Sequence, residues 1–488
     1  MVEHEKAMAE DALHREARRL SIEVRSIDYI PERERRGEAR HLGAVWFVGN
    51  AELVSMATGP IGISLGLNFA WTAVALVLGA AIGVAGMALH SAQGPKLGLS
   101  QMIQSRAQFG VLGSLVPLFV ALFIFVGYSV FDTYLGGEVL NSTINTGLEI
   151  SYVIFVAVAV LLAIAGYHLI HRASRYASWI YILCFGFFTV LALIYVDLPS
   201  EQFSLSSSQF QLGPFLIVLG ALIGYNLTWS PYVSDYSRYL PKETSVSSAF
   251  WYTYVGATVG SIWPAVMGAY VSAAYPDEST TGLIEVVSDQ FFEGWGDIAL
   301  LLLLPTLIIA TTMSLYTATL TLLSVLDVVV SEVRAHIWRV IFAVVIAIGV
   351  VIIALTLPKD FTGNYTAFLT ICLYFMVPWT AINLVDFFLI RKGNYAIIDI
   401  FSLRGIYGLW GVRGLIAYAV GFAVMIPFFS TTLYTGAIAE RLGGGDIAPF
   451  IGFPVAAIVY YVLARNIDVA SEAALAREQL IELNAKGG

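Results

Sequence analysis

His41-Leu-Gly-Ala-Val-Trp-Phe-Val-Gly-Asn50-Ala-Glu52-Leu-Val-Ser-Met-Ala-Thr-Gly59-Pro60-Ile-Gly-Ile-Ser-Leu-Gly66 is the stretch on which the fold turns. It exceeds the roughly 20 apolar residues that carry a helix across a bilayer. Yet Asn50 and Glu52 sit in its middle, and Gly59-Pro60 follows. Lipid offers no partner to a polar side chain or to a freed backbone group. A span of this composition must therefore face protein, and it suits a helix that unwinds locally around a site.

The rest of the chain reads the same way. Eleven further apolar stretches follow at 67–90, 113–140, 150–168, 175–196, 211–234, 248–274, 297–325, 335–357, 364–390, 412–434 and 447–464. They are solidly apolar, without the alternation of barrel strands. The 488 residues are 58% hydrophobic and only 12% charged, about half the charged share of a soluble domain. Residues 1–40 hold 19 of the charges and residues 465–488 hold 7. The solvent around most of the chain is lipid, which excludes a soluble enzyme, a nucleic-acid binder and a disordered protein. Cys184 and Cys372 lie in apolar runs and imply neither a disulfide framework nor a zinc site. The first 40 residues form a charged tail without an apolar leader, so insertion is expected to begin at the first span.

Lys and Arg set the orientation. With the N-terminus inside, 24 of the 26 fall on the inner side, and only Lys359 and Arg441 fall outside. This predicts an all-α protein of twelve membrane spans in the plasma membrane, with both ends cytoplasmic. Residues 469–484 read as a short cytoplasmic helix or, more simply, a frayed end.

Polarity at bilayer depth carries the functional signal. Besides Gly49–Glu52, the third span contains Gly127-Tyr128-Ser129-Val130-Phe131-Asp132, with Tyr128 and Asp132 on one helical face. The sixth contains Gly224-Tyr225-Asn226-Leu227-Thr228-Trp229-Ser230-Pro231, and the eighth contains Thr311-Thr312-Met313-Ser314-Leu315-Tyr316-Thr317. All four groups lie near the middle of their helices, which predicts one site at the midplane. The first and sixth spans pair Gly and Pro with polar residues, the composition of broken helices in a transporter.

The chain resembles the nucleobase–cation symporters of the purine–cytosine permease type. The resemblance rests on Trp229-Ser-Pro-Tyr-Val-Ser-Asp235-Tyr-Ser-Arg238-Tyr-Leu-Pro241, on Gly94-Pro-Lys-Leu-Gly98 running to Arg106-Ala-Gln-Phe109-Gly110, on Tyr316-Thr-Ala, and on Pro378-Trp379 with Asp386-Phe-Phe-Leu-Ile-Arg391-Lys-Gly393-Asn-Tyr395. It covers roughly residues 25–465. It implies a LeuT-like fold of two inverted five-helix repeats, here 41–196 and 211–390, with two additional helices at 412–464. It implies cation-coupled uptake of a purine, a pyrimidine or a related ring, stacked between the positions of Tyr128 and Trp229. Asp132 and Asn226 are the edge-reading contacts it suggests, and Glu52 and Ser314, from the polar groups of the first and eighth spans, are further candidates for substrate contact. In sodium-using relatives the cation lies between the first and eighth helices; carbonyls around Gly49 and Asn50 and the hydroxyls of Thr311 and Thr312 fit that pattern. The coupling ion is Na+ or H+, and no other cofactor, nucleic acid or obligatory protein partner is implied.

One departure matters. Asp132 stands where the family has a carboxamide, and a carboxylate only accepts unless it is protonated. With Glu52 it either selects a donor-rich or cationic ring, such as a thiamine precursor, or titrates and makes the coupling ion a proton. Asp235, Arg238 and Asp386 suit inner-gate contacts. A membrane enzyme would need a nucleophile–base pair or a metal cluster at depth; His90, His168 and His171 all sit at helix ends. No phosphate-cradling motif for ATP occurs. An amino-acid transporter of the same fold is the runner-up.

Overall fold

The computed structural model describes residues 27–165, 167–329, 335–357, 360–431 and 434–486. The first 26 residues, Arg334 and Lys359 lie outside the described residues, as do the side chains of His168 and His171.

Helices stand at all twelve expected stretches. Eight are by themselves long and apolar enough to cross a bilayer, among them Leu115–Ile144, Trp295–Leu326 and Phe361–Ile390. The other four depart from that standard for local reasons. The first span is divided into Arg40–Asn50, Leu53–Met56 and Pro60–Ser64. The seventh is one 29-residue helix, Val246–Ala274, diluted by Ser, Thr, Tyr and Gly. The eleventh and twelfth are short, Val412–Ala423 and Ala448–Ala464.

Packing sorts the spans into two groups. The first, second, sixth and seventh pack on one another, and so do the third, fourth, eighth and ninth. The fifth bridges the first and the eighth, and the tenth bridges the sixth and the twelfth. Each group thus contains a span together with the one five places later. Backbone contact holds the first group close. A Cβ on Gly59 would lie 2.3 Å from the Ala265 carbonyl, and one on Gly268 would lie 2.2 Å from the Met56 carbonyl. With glycine there, the two helices touch main chain to main chain, as small residues allow in membranes.

The segments expected on one side of the membrane gather on one face. Arg35 donates to the Pro95 carbonyl at 2.7 Å, Gly37 N–H to the Tyr239 carbonyl at 3.0 Å, and Tyr29 to Asn484 at 3.3 Å. The chain end is not frayed: Val469–Lys486 is an 18-residue helix, set at 88° to the twelfth span. Tertiary contacts that a local reading cannot see hold it down. Glu472 accepts from Arg391 at 2.8 Å and from Tyr407 at 2.6 Å, and Gln479 accepts from the Ile398 N–H at 2.8 Å. Arg391 also pairs with Asp386, which accepts from Tyr395 and Tyr460 at 2.8 Å and from Gln108 at 2.7 Å. Asp386 therefore ties loops and helix ends together at this face.

On the opposite face, Asp446 precedes the twelfth span and accepts from the Tyr374 hydroxyl and, at 2.8 Å, from the Ala448 N–H. Burial pushes its carboxyl up to about 6, against the pull of these hydrogen bonds. The unfolded value is about 3.9. A group raised in the fold favours folding below its unfolded value, and that stabilisation is lost as pH rises through the folded value. Asp446→Asn keeps an acceptor oxygen but does not titrate. Its melting temperature relative to wild type should therefore rise between about pH 4 and about pH 8; a constant difference across that window would refute this assignment.

Candidate functional site

The first span breaks at Ala51 (φ −83°, ψ 80°) and Glu52 (φ −149°, ψ 171°). Gly49 and Asn50, poor helix formers, lead into the break. The freed Asn50 carbonyl is approached by the Ser55 hydroxyl and, at 3.5 Å, by the Tyr225 hydroxyl of the sixth span. Tyr225 also donates to Glu52 Oε1 at 3.1 Å, leaving Oε2 without a hydrogen-bond partner among the described residues. Glu52 is 1% exposed.

The sixth span does not unwind in the same way. It runs as helix through Leu227, tightens into a 3-10 turn at Ser230–Tyr232, and resumes at Val233–Ser237. Pro231 removes one N–H but fits the start of a helical turn, and the Tyr232 N–H bonds the Trp229 carbonyl at 2.9 Å instead. The expectation of two unwound helices thus holds for the first only.

Tyr128 and Trp229 face each other with ring centres 6.1 Å apart and planes 24° from parallel. The Tyr128 hydroxyl is pinned by Thr228 Oγ1 at 2.6 Å and donates toward the Tyr225 carbonyl at 3.2 Å. Phe368 of the tenth span meets the Tyr128 ring edge-on at 5.1 Å, and Trp46 meets Trp229 edge-on at 5.8 Å. One turn after Tyr128, Asp132 Oδ2 accepts from Thr311 at 2.9 Å, while Oδ1 has no partner among the described residues. Neither Asp132 nor Glu52 forms an ion pair among the described residues, and the two carboxyl groups feel each other's charge.

The remaining site candidates are placed as follows. Thr312 turns away from Thr311 and donates to the Ile308 carbonyl at 2.6 Å and the Ala159 carbonyl of the fourth span at 3.3 Å. Opposite Gly49 the eighth span presents Met313: a Cβ on Gly49 would lie 3.6 Å from its sulfur. Ser314 meets Tyr232 at 3.0 Å. Asn50 and Asn226 return their amides to their own helices, at Trp46 and Leu222, both at 2.9 Å. The Asn226 Cβ packs near Gly83 of the second span and the Asn50 Cβ near Gly260 of the seventh. Tyr128, Trp229, Asp132, Thr311 and Glu52 thus belong to one connected set with Tyr225. Thr312, Asn50 and Asn226 point their side chains elsewhere. Tyr225, Thr228 and Trp46 complete the set although none was selected from the sequence. Tyr225 lies four residues before Trp229 and so shares its helical face, the one signal that could have found it.

This arrangement can clasp a flat ring and offer it carboxyl oxygens. Comparison with known proteins points the same way. A sequence model described as "Permease for cytosine/purines, uracil, thiamine, allantoin" matches residues 29–452. A Bacillus subtilis protein, YxlA, provisionally named a purine-cytosine permease, is 36% identical over 446 residues, spanning 91% of this chain and 96% of that protein. The purine-cytosine permease fcyB of Emericella nidulans is 25% identical, over 92% of this chain and 90% of that one. Among solved structures, the nucleobase-cation-symport-1 transporter Mhp1, closed with bromovinylhydantoin bound, superposes with a TM-score of 0.76 at 20% identity, over 95% of this chain and 99% of that one.

The Asp132–Thr311 bond allows a direct check. Thr311→Val would leave both Asp132 oxygens unpaired and should destabilise the protein by about 1–3 kcal/mol. In an Asp132→Leu background the same change should cost less than about 0.5 kcal/mol. Equal costs in both backgrounds, read by thermal or denaturant unfolding, would show that the bond does not form.

Proposed function

The chain belongs to the family of permeases for cytosine/purines, uracil, thiamine and allantoin, and we propose from its site that it imports a nucleobase or closely related ring, clasped between Tyr128 and Trp229. It is a multi-span secondary transporter with the LeuT-like fold of Mhp1, not an enzyme.

The near-parallel pair Tyr128–Trp229 carries the substrate reading. Two stacking contacts need about 3.5 Å each, or roughly 7 Å between ring planes. The rings lie within 24° of parallel with centres 6.1 Å apart, so a flat ring enters only as the pair separates. Stacking is worth about 1–3 kcal/mol per base. The free oxygens of Glu52 and Asp132 accept from N–H groups on the ring edge, and the unpartnered Trp229 Nε1–H donates to a ring acceptor. An amino acid would gain little from this geometry.

For coupling, the carboxyl pair supports a proton. An unpaired carboxylate at bilayer depth is costly, so Glu52 and Asp132 need a counter-charge, and a proton taken up with the ring supplies it. The divergence of Thr311 and Thr312 weakens the case for a sodium site made by both hydroxyls and the first-span carbonyls. The face that carries Tyr29 and the C-terminal helix lies in the cytoplasm, the orientation that the Lys and Arg distribution favours, and the membrane is the plasma membrane. Proton and ring bind at the midplane from outside, and the two helix groups then rock to open the site inward. Binding of each raises the affinity for the other.

Proteoliposome uptake of a panel of purines, cytosine, uracil, thiamine-precursor pyrimidines and amino acids tests this. An inward proton gradient should drive accumulation of at least one ring, and a sodium gradient alone should not. Sodium-driven uptake would reassign the ion, and accumulation of an amino acid but no ring would reassign the substrate. Trp229→Ala should weaken substrate binding about tenfold or more, the loss of one stacking face. Asp132→Asn should flatten the pH dependence of uptake; an unchanged profile would remove Asp132 from the coupling.

A further inference from the structure

Between the site and the cytoplasmic face runs a short chain of rings. Trp229 meets Trp46 edge-on at 5.8 Å, and Trp46 meets Tyr236 edge-on at 5.6 Å. Beyond Tyr236 a cavity of about 300 Å³ opens between the start of the first span, the fifth span and the inner half of the sixth. Leu42, Val45, Ser174, Tyr236 and Leu240 are its buried lining, and Arg36, Glu38 and Arg175 stand exposed at its rim. Leu42 and Val45 lie four and one residues before Trp46 on the same helix, so one helical segment supplies both the last covered ring and the wall of the cavity.

Trp46 itself points to a ligand. It is 0% exposed, yet its Nε1–H has no acceptor among the described residues, as is true of Trp229. A buried donor left unpaired costs about 1–3 kcal/mol, and packing alone would be served by a phenylalanine. Two indole N–H donors on neighbouring rings match carbonyl oxygens or ring nitrogens of a heteroaromatic ring. The cavity lies at the lower end of the size range of small-molecule pockets. Its aromatic lining suits a ring face, and a rim of both signs suits an edge that carries donors and acceptors.

We propose that Trp46, Tyr236 and this cavity form a second ring-binding station, occupied by the nucleobase-type substrate after it leaves Tyr128 and Trp229 and before it enters the cytoplasm. The proposal rests on the reading of the central site as a ring site. Two stations of this kind make release stepwise: the ring exchanges one aromatic contact for the next, so no step strips it of all stacking at once.

The test uses purified full-length protein with Ala44→Cys. Ala44 lines the cavity and is exposed, while native Cys184 and Cys372 are buried. A mixture of cytosine, adenine, hypoxanthine and uracil should slow modification of Cys at this position by a thiol reagent. Adding Trp229→Ala should move the half-protecting concentration by less than about threefold, because the second station keeps its own rings. Adding Tyr236→Leu should raise it about tenfold, equivalent to about 1.4 kcal/mol. Tyr236→Phe should stay within about twofold, since the stacking face remains, which separates lost stacking from a misfolded variant. Protection abolished by Trp229→Ala would show that it is transmitted from the central site and would overturn the proposal. Uptake by the same protein in proteoliposomes separates the two readings. Uptake without protection overturns the second station alone, neither overturns both, and protection without uptake supports the station while overturning import.

Discussion

At Ala51 and Glu52 the first span leaves helical geometry in a place where water cannot take over the carbonyls it frees. An unsatisfied backbone group at this depth costs several kcal/mol, and the break is sustained because the Ser55 hydroxyl and the Glu52 N–H, at 3.1 Å, reach the Asn50 carbonyl while Tyr225 donates to the Glu52 carboxyl. The same tyrosine offers its own carbonyl to Tyr128 and Thr228. One residue of the sixth span thus joins the broken helix to the aromatic clasp. The break and Tyr128 are linked through Tyr225 by two hydrogen bonds.

Two carboxyl groups without an ion-pair partner among the described residues are the other governing feature. Structural acids at such depth are normally paired. Here each keeps one oxygen bonded, by Tyr225 or Thr311, and one oxygen free. That division orients the carboxyl groups while leaving acceptors for something that comes and goes. The face that carries the C-terminal helix is built on the opposite plan. There Asp386 and Glu472 share the buried Arg391, and three tyrosines and Gln108 satisfy their remaining lone pairs. A dense network of this type rigidifies, and it fixes the C-terminal helix across the ends of the tenth and twelfth spans.

Particular residues mark how far the sequence could be read. Tyr128 and Asp132 are four apart on an unbroken helix, so their common face followed from spacing alone. Thr311 and Thr312 are adjacent, and neighbours on a helix diverge by about 100°. Spacing could not say which of them meets the third span and which the fourth. Asn226 and Tyr225 pose the same problem, and the more polar of the two turned out to be the one that faces the second span. The C-terminal helix looked frayed because its own sequence is weakly amphipathic; its stability comes from Arg391 and Tyr407, some 65 to 81 residues earlier.

The amino-acid sequence by itself determined that the chain crosses a membrane as helices, where each span begins, and at what depth polarity is concentrated. Those properties are local, because in lipid each helix must satisfy its backbone within itself and each charge must find water close by in sequence. Only the tertiary structure decided which polar groups meet. That depends on the rotation and register of helices against one another, set by contacts such as Gly59 on Ala265 and Gly268 on Met56. A shift of a single residue there would turn Glu52 from Tyr225 toward a different neighbour.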